Sequence, residues 1–151
     1  MTPIVLGFGS NLGDRQQLIE KAYELVQERI GEKVLVSSMI ETKPWGFQSD
    51  NMFMNSVASF NTSLSAQDCL KEINKIEAEL GRNRSGQAGY ESRTMDIDIL
   101  FYGSEVIDEE NLKVPHPLLH KRDFVLIPLK EIMPEFIHPV LKQRVKDISV
   151  N

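Results

Sequence analysis

A chain of 151 residues, 41% hydrophobic and 26% charged, has the size and composition of one globular domain whose core folds unaided. Its net charge of −5 argues against general nucleic-acid binding, which rests on many Lys and Arg contacts to phosphate. No apolar run approaches the ~20 residues that cross a bilayer and no basic-then-apolar leader opens the chain, which in a bacterium implies the cytoplasm; the lone Cys69 rules out an internal disulfide and reads as a small apolar helix residue.

Residues Pro3 to Phe8 read as a first strand, ended by Gly9. Turn chemistry follows at Asn11-Leu12-Gly13-Asp14, with Asp14 as helix N-cap. Leu18, Ala22, Leu25, Val26 and Ile30 keep helical spacing, and Gly31 stands where a C-terminal cap belongs. Val34 to Glu41 predicts a second strand and Phe53 to Asn61 a third. Ser65 caps a second helix whose buried stripe is Leu70, Ile73, Ile76 and Leu80, closed by Gly81. Met95 to Tyr102 is a fourth strand, turning at Gly103-Ser104 into a short one at Glu105 to Ile107. Val114-Pro115-His116-Pro117 is an ordered loop, Asp123 to Ile132 a short helix, and Phe136 to Val140 a short edge strand. This is a single domain over residues 1–151. The order predicts an α+β, ferredoxin-like β-α-β-β-α-β core, a mostly antiparallel sheet flanked by helices, with extra C-terminal elements widening the sheet.

Arg93-Thr94-Met95-Asp96-Ile97-Asp98-Ile99 carries the chemistry. Alternation along a strand puts Asp96 and Asp98 on one face, roughly 6.5–7 Å apart at the backbone, and turns Ile97 and Ile99 to the core. Two carboxylates on one face repel unless a cation offsets them, and Mg²⁺ takes a few carboxylates plus phosphate oxygens and water. Arg82, Arg84 and Arg93 lie within one lysine-free segment, and arginine forks grip phosphate oxygens. Carboxylates for Mg²⁺ and arginines for phosphate are the parts of phosphoryl transfer. The glycines from 81 to 89 lack the Lys-Ser/Thr ending of a P-loop and read either as a lid over nucleotide or as a plain surface loop. Gly7-Phe8-Gly9 and Gly13 do not complete a dinucleotide fingerprint and read as a tight turn. His116 either donates to a phosphate or caps a turn. His120 and His138 read as structural or surface residues. Trp45, Phe47, Phe53 and Phe124 form either an aromatic slot or core, and Asn55 either reads a heterocycle edge or ends a ladder.

Taken together these residues resemble the 6-hydroxymethyl-7,8-dihydropterin pyrophosphokinase family nearly end to end. The matching motifs are Gly9-Ser10-Asn11-Leu12, Thr42-x-Pro44-x-Gly46, Phe53-x-Asn55, Glu77 with Gly81-Arg82-x-Arg84, Arg93-Thr94-x-Asp96-x-Asp98-Ile99, Val114-Pro115-His116 and Arg122-x-Phe124-x-x-x-Pro128-Leu129. The resemblance implies transfer of the β,γ-diphosphate of ATP to the pterin hydroxymethyl oxygen, releasing AMP, in folate biosynthesis. It implies two Mg²⁺ ions held by Asp96 and Asp98, and transfer stabilised by Arg82 and Arg93. It implies a nucleotide site of Glu77, Arg82, Arg84, Arg93, Ile99, His116 and Arg122. Thr42, Pro44, Trp45, Gly46, Phe53, Asn55 and Phe124 would form the pterin pocket. A monomer acting on small molecules, with neither nucleic acid nor membrane as partner, is expected. The competing readings are another ATP-dependent phosphotransferase acting on a small alcohol and a non-catalytic ferredoxin-like ligand-binding module. One stretch departs from the family: Gly89-Tyr90-Glu91-Ser92 replaces the Arg-Trp-Gly-Pro that many members carry before the residue matching Arg93, after a loop one residue longer. Tyr90 is the residue that would pack in place of the tryptophan.

Overall fold

The computed structural model describes residues 1–11, 13–42, 52–81 and 95–150. The expectations for Pro44, Trp45, Gly46, Phe47, Arg82, Arg84, Arg93 and the stretch from Gly86 to Ser92 lie outside the described residues.

Strand β1 (Thr2–Ser10) runs two residues past its predicted end. Gly9 and Ser10 are held in the sheet from both sides, by Asn55 and Met54 of β4 (Phe53–Thr62) and by Asp96 and Met95 of β5 (Met95–Tyr102). Helix α1 (Arg15–Arg29) starts at the predicted cap, where the Asp14 carboxylate accepts from the Gln17 N–H at 3.2 Å. Its buried residues are Ile19, Ala22, Tyr23 and Val26, while the predicted Leu18 and Leu25 sit half-buried at the margin of that face. Gly31 is not the helix cap. It opens β2 (Gly31–Val36), and a Cβ there would stand 1.8 Å from the Asn61 carbonyl oxygen, so the close approach of β2 to β4 admits only glycine.

The predicted strand over residues 34–41 is two strands, β2 and β3 (Ile40–Thr42). The backbone leaves the ladder at Ser37 because other partners satisfy it. Ser37 N–H donates to the Val57 carbonyl and Val57 N–H to Ser37 Oγ, both at 2.9 Å. The carboxylate of Glu131, 93 residues away, accepts from Ser38 N–H and Oγ at 3.0 Å. Helix α2 (Ala66–Glu79) begins where Ser65 Oγ accepts from Asp68 N–H, and ends at Leu80 and Gly81.

Every pairing in the sheet is antiparallel, in the order β2-β4-β1-β5, with β3 also on β4. That is the predicted β-α-β-β-α-β core with its second strand broken in two. One face of the sheet packs Ile4, Leu6, Phe8, Ile97 and Ile99 against α1 and α2. The other packs Val5, Val57, Leu100 and Phe101 against Leu126 and Leu129 of α3 (Asp123–Ile132) and against Val145 and Ile148. Each such buried aliphatic side chain stabilises the fold by about 1.5–3 kcal/mol. The C-terminal elements therefore do not widen the sheet as expected. That apolar second face needs a cover, and they provide it. Strand β6 falls at Ile107–Glu109, later than predicted, and pairs with β7 (Leu112–Val114) as a separate hairpin. Within Phe136 to Val140 only Ile137 forms a bridge, to Arg144.

A bulge marks β5. Pairing with β1 steps from Leu6–Ile99 to Val5–Phe101, leaving Leu100 as an extra residue. Before it, Ile97 and Ile99 face the helices and the aspartates face away. After it, Leu100 and Phe101 both enter the second core.

Candidate active site

The alternation argument holds on β5. Ile97 and Ile99 are buried under the helices, and Asp96 and Asp98 stand half-buried on the opposite face. Their register partners on β1 are Gly9 and Gly7, which leave the floor beside them without side chains. A cleft of about 130 Å³ opens there and brings together seven predicted residues: Thr42, Phe53, Asn55, Asp96, Asp98, Arg122 and Phe124. It adds Gly7, Gly9 and Ser56, which sequence reasoning missed. The signal for the glycines was present: Gly-x-Gly within an extended run places both on one strand face. Cys69, as expected, is a core residue with burial pushing its thiol pKa up.

The cleft has two ends of different character. Toward β3 and β4, Asn55 Nδ2 donates to Thr42 Oγ1 at 2.7 Å, so an amide and a hydroxyl are fixed against each other beside the Phe53 ring. Phe124 stands on the opposite wall, at the start of α3, with the Arg122 guanidinium 5.6 Å from its ring centroid. Toward β5, Arg122 Nη1 lies 3.9 Å from Asp98 Oδ2, close enough to offset charge without a tight bond.

Two predicted residues lie behind this wall. Glu77 of α2 is buried, and its Oε2 accepts from the Ile97 N–H at 2.8 Å. That bond ties down the outer edge of β5 midway between the two aspartates. The Ile99 side chain belongs to the helix-side core.

His116 shows the capping reading. Its own N–H donates to the carbonyl of Leu100, the bulged residue, at 3.0 Å, which carries the loop back to β5. Nδ1 caps the following turn by accepting from Leu118 N–H at 3.1 Å. In the neutral ring the proton then sits on Nε2, as a donor. Burial pulls the imidazole pKa down, the Asp98 charge pushes it up and Arg122 pulls it down; the net shift is downward. His138 repeats the device, its Nδ1 accepting from Val140 and Leu141 N–H at 3.1 and 3.0 Å. Each histidine opens a His-Pro-x-Leu run, a local pattern that sequence reading passed over.

The profile of the family described as 7,8-dihydro-6-hydroxymethylpterin-pyrophosphokinase (HPPK) matches residues 5–134. The chain belongs to this family. Among HPPK relatives, the 2-amino-4-hydroxy-6-hydroxymethyldihydropteridine pyrophosphokinase of Aquifex aeolicus is 45% identical over 149 residues, covering 99% of this chain and 91% of that protein. The Bacillus subtilis enzyme of the same name is 41% identical, covering 84% and 75%. The wild-type HPPK-DHPS of Plasmodium falciparum shares the fold with a TM-score of 0.77 at 16% identity, over 97% of this chain and 44% of that longer one. The seven cleft residues fall inside the span matched to HPPK.

Proposed function

We propose that this protein transfers the β,γ-diphosphate of ATP to the hydroxymethyl oxygen of 6-hydroxymethyl-7,8-dihydropterin, releasing AMP, in folate biosynthesis. The observation that carries this is the two-ended cleft: paired carboxylates at one end, and an amide, a hydroxyl and two aromatic rings at the other. A planar heterocycle stacks between Phe53 and Phe124 and presents its hydrogen-bonding edge to Asn55 and Thr42. Its hydroxymethyl group then points toward Asp96 and Asp98.

The donor set fits Mg²⁺. Two half-buried carboxylates share one face, and among the described residues no third His, Cys, Asp or Glu joins them in a cluster. Mg²⁺ suits such a sparse carboxylate set, since it also takes phosphate oxygens and water. When bound, the two expected ions would neutralise charge on the polyphosphate. The chain's own residues do the rest. Asp96 and Asp98 fix where the phosphates lie. His116 Nε2–H and Arg122 donate to them, Arg84 joins them in binding ATP, and Arg82 and Arg93 bind ATP and stabilise the diphosphate as it moves. Glu77 and Ile99 back the nucleotide end. Pro44, Trp45 and Gly46 take part in pterin binding. The hydroxymethyl oxygen forms a bond to Pβ, the bond from Pβ to the oxygen of the α-phosphate breaks, AMP leaves with that oxygen, and the hydroxyl proton passes to solvent.

We also propose one domain over residues 1–151, working as a cytoplasmic monomer on small molecules. The net charge of −5 supports a small anionic ligand over a nucleic acid, and no described helix is long and apolar enough to cross a membrane. Incubation with ATP, the dihydropterin and Mg²⁺, followed by chromatography of the nucleotides, tests the reaction. AMP appearing in step with the pterin diphosphate is expected. ADP, or no pterin-dependent turnover, overturns it.

A further inference from the structure

Arg15 is the first residue of α1, at the positive end of the helix dipole and next to the Asp14 carboxylate that caps it. The side chain turns off the helix and spans two strands. Nη1 donates to the Met52 carbonyl at 2.8 Å, and Nη2 pairs with the Glu41 carboxylate. Glu41 lies in β3 and Met52 directly precedes β4. Thr42, which follows Glu41, and Phe53, which follows Met52, are register partners, form the last pair of that ladder and line the cleft. Terminal pairs of a short ladder are where strands open most easily. A planar guanidinium reaches both sides at once, which an ammonium does not.

We propose that Arg15 is a positioning residue for the aromatic and amide end of the cleft: it clasps the β3–β4 ladder at its Thr42–Phe53 end and so fixes Thr42, Phe53 and Asn55 against the bound heterocycle. This rests on the function proposed above for the identity of that heterocycle. Arg15 has no bond to β5, so the clasp bears on one substrate and not the other.

The test is steady-state kinetics of Arg15→Ala with each substrate varied in turn. The KM for the dihydropterin rises about tenfold, while the KM for ATP and kcat stay within about twofold. Arg15→Lys, able to hold one partner at a time, falls between. Adding Glu41→Gln to Arg15→Ala produces no further rise, because both changes break the same clasp. Equal rises in both KM values, a fall in kcat alone, or wild-type kinetics would overturn the proposal. Amide hydrogen exchange on the ligand-free protein gives an independent arm: faster exchange at residues 40–42 and 53–55 in Arg15→Ala, with residues 95–102 unchanged. If the wild type makes no AMP, the proposed function falls while this arm still decides the clasp, and unchanged exchange at both strands rejects it. Should Arg15→Ala fail to fold, Arg15→Lys carries both arms.

Discussion

Glu77 brings a buried carboxylate to the one peptide N–H that separates Asp96 from Asp98. A charged acceptor is a strong partner for an edge amide, and removing it leaves a buried donor unsatisfied at about 1–3 kcal/mol. The bond also sets the pleat from which both aspartates project. Glu77→Gln keeps an acceptor oxygen and Glu77→Ala does not. Glu77→Ala is therefore expected to lower Tm by roughly 2–4 °C per kcal/mol lost and to raise the Mg²⁺ concentration needed for half-maximal turnover, with Glu77→Gln between the two. Thermal unfolding and a Mg²⁺ titration of activity check this; a Glu77→Ala enzyme with the wild-type Mg²⁺ dependence would remove the positioning role. Asp96 and Asp98 were legible in the sequence because strand alternation is local. Arg15 was not, since its partners lie 26 and 37 residues away and only the tertiary fold joins them.

Among the strands, β1 contributes by what it omits. Gly9 lies opposite Asp96, and a Cβ there would stand 3.0 Å from Asn55 Oδ1 and 3.7 Å from the Phe53 ring. Gly9→Ala thus places a methyl group on the floor of the cleft, against the Asn55 amide. Dihydropterin affinity is expected to fall by about tenfold, roughly 1.4 kcal/mol, with far less effect on ATP affinity. Equilibrium binding of each ligand separates the two, and equal losses would contradict this account of the glycine. Sequence reading took Gly9 as a strand end because glycine is common in turns; pairing with strands on both sides overrode that tendency. The break between β2 and β3 was hidden for a similar reason. The residues from Val34 to Glu41 suit a strand, and it is Glu131, arriving from α3, that bonds the backbone where it leaves the ladder.

Across the molecule, the core order was legible because two capped helices and their apolar stripes punctuate the strands, whereas the C-terminal cover was misread as added strands. Nothing local marks residues 119–148 as the lid of a second core; only the apolar reverse face of the sheet demands one. His138 belongs to that cover, buried against Phe101 with ring centroids 5.6 Å apart. Burial pulls the pKa of His138 down, and so does nearby His120; burial does the same at His116. Both therefore fold as neutral rings. When pH drops through the ordinary histidine value near 6.5, the unfolded chain takes up protons that the folded chain refuses. Stability from these groups is thus fully present above that value and is lost as pH falls toward the depressed folded values. His138→Asn keeps an acceptor near the Nδ1 position and cannot titrate. Its Tm is expected to fall less than the wild type's between pH 7.5 and 5.5, by about 2–4 °C, in calorimetry across that range. Parallel curves would assign the acid sensitivity elsewhere.

The extra residue at Leu100 makes β5 resemble a text read in two frames. Up to Asp98 one frame spells reactive groups on every second letter; past the bulge the other spells only packing. Because the frames are offset, the vocabulary of the reaction and that of the second core never compete for the same position. A single-residue deletion between Asp96 and Asp98 would put the two carboxylates on opposite faces of the strand, so this stretch accepts spelling changes far more readily than changes of length.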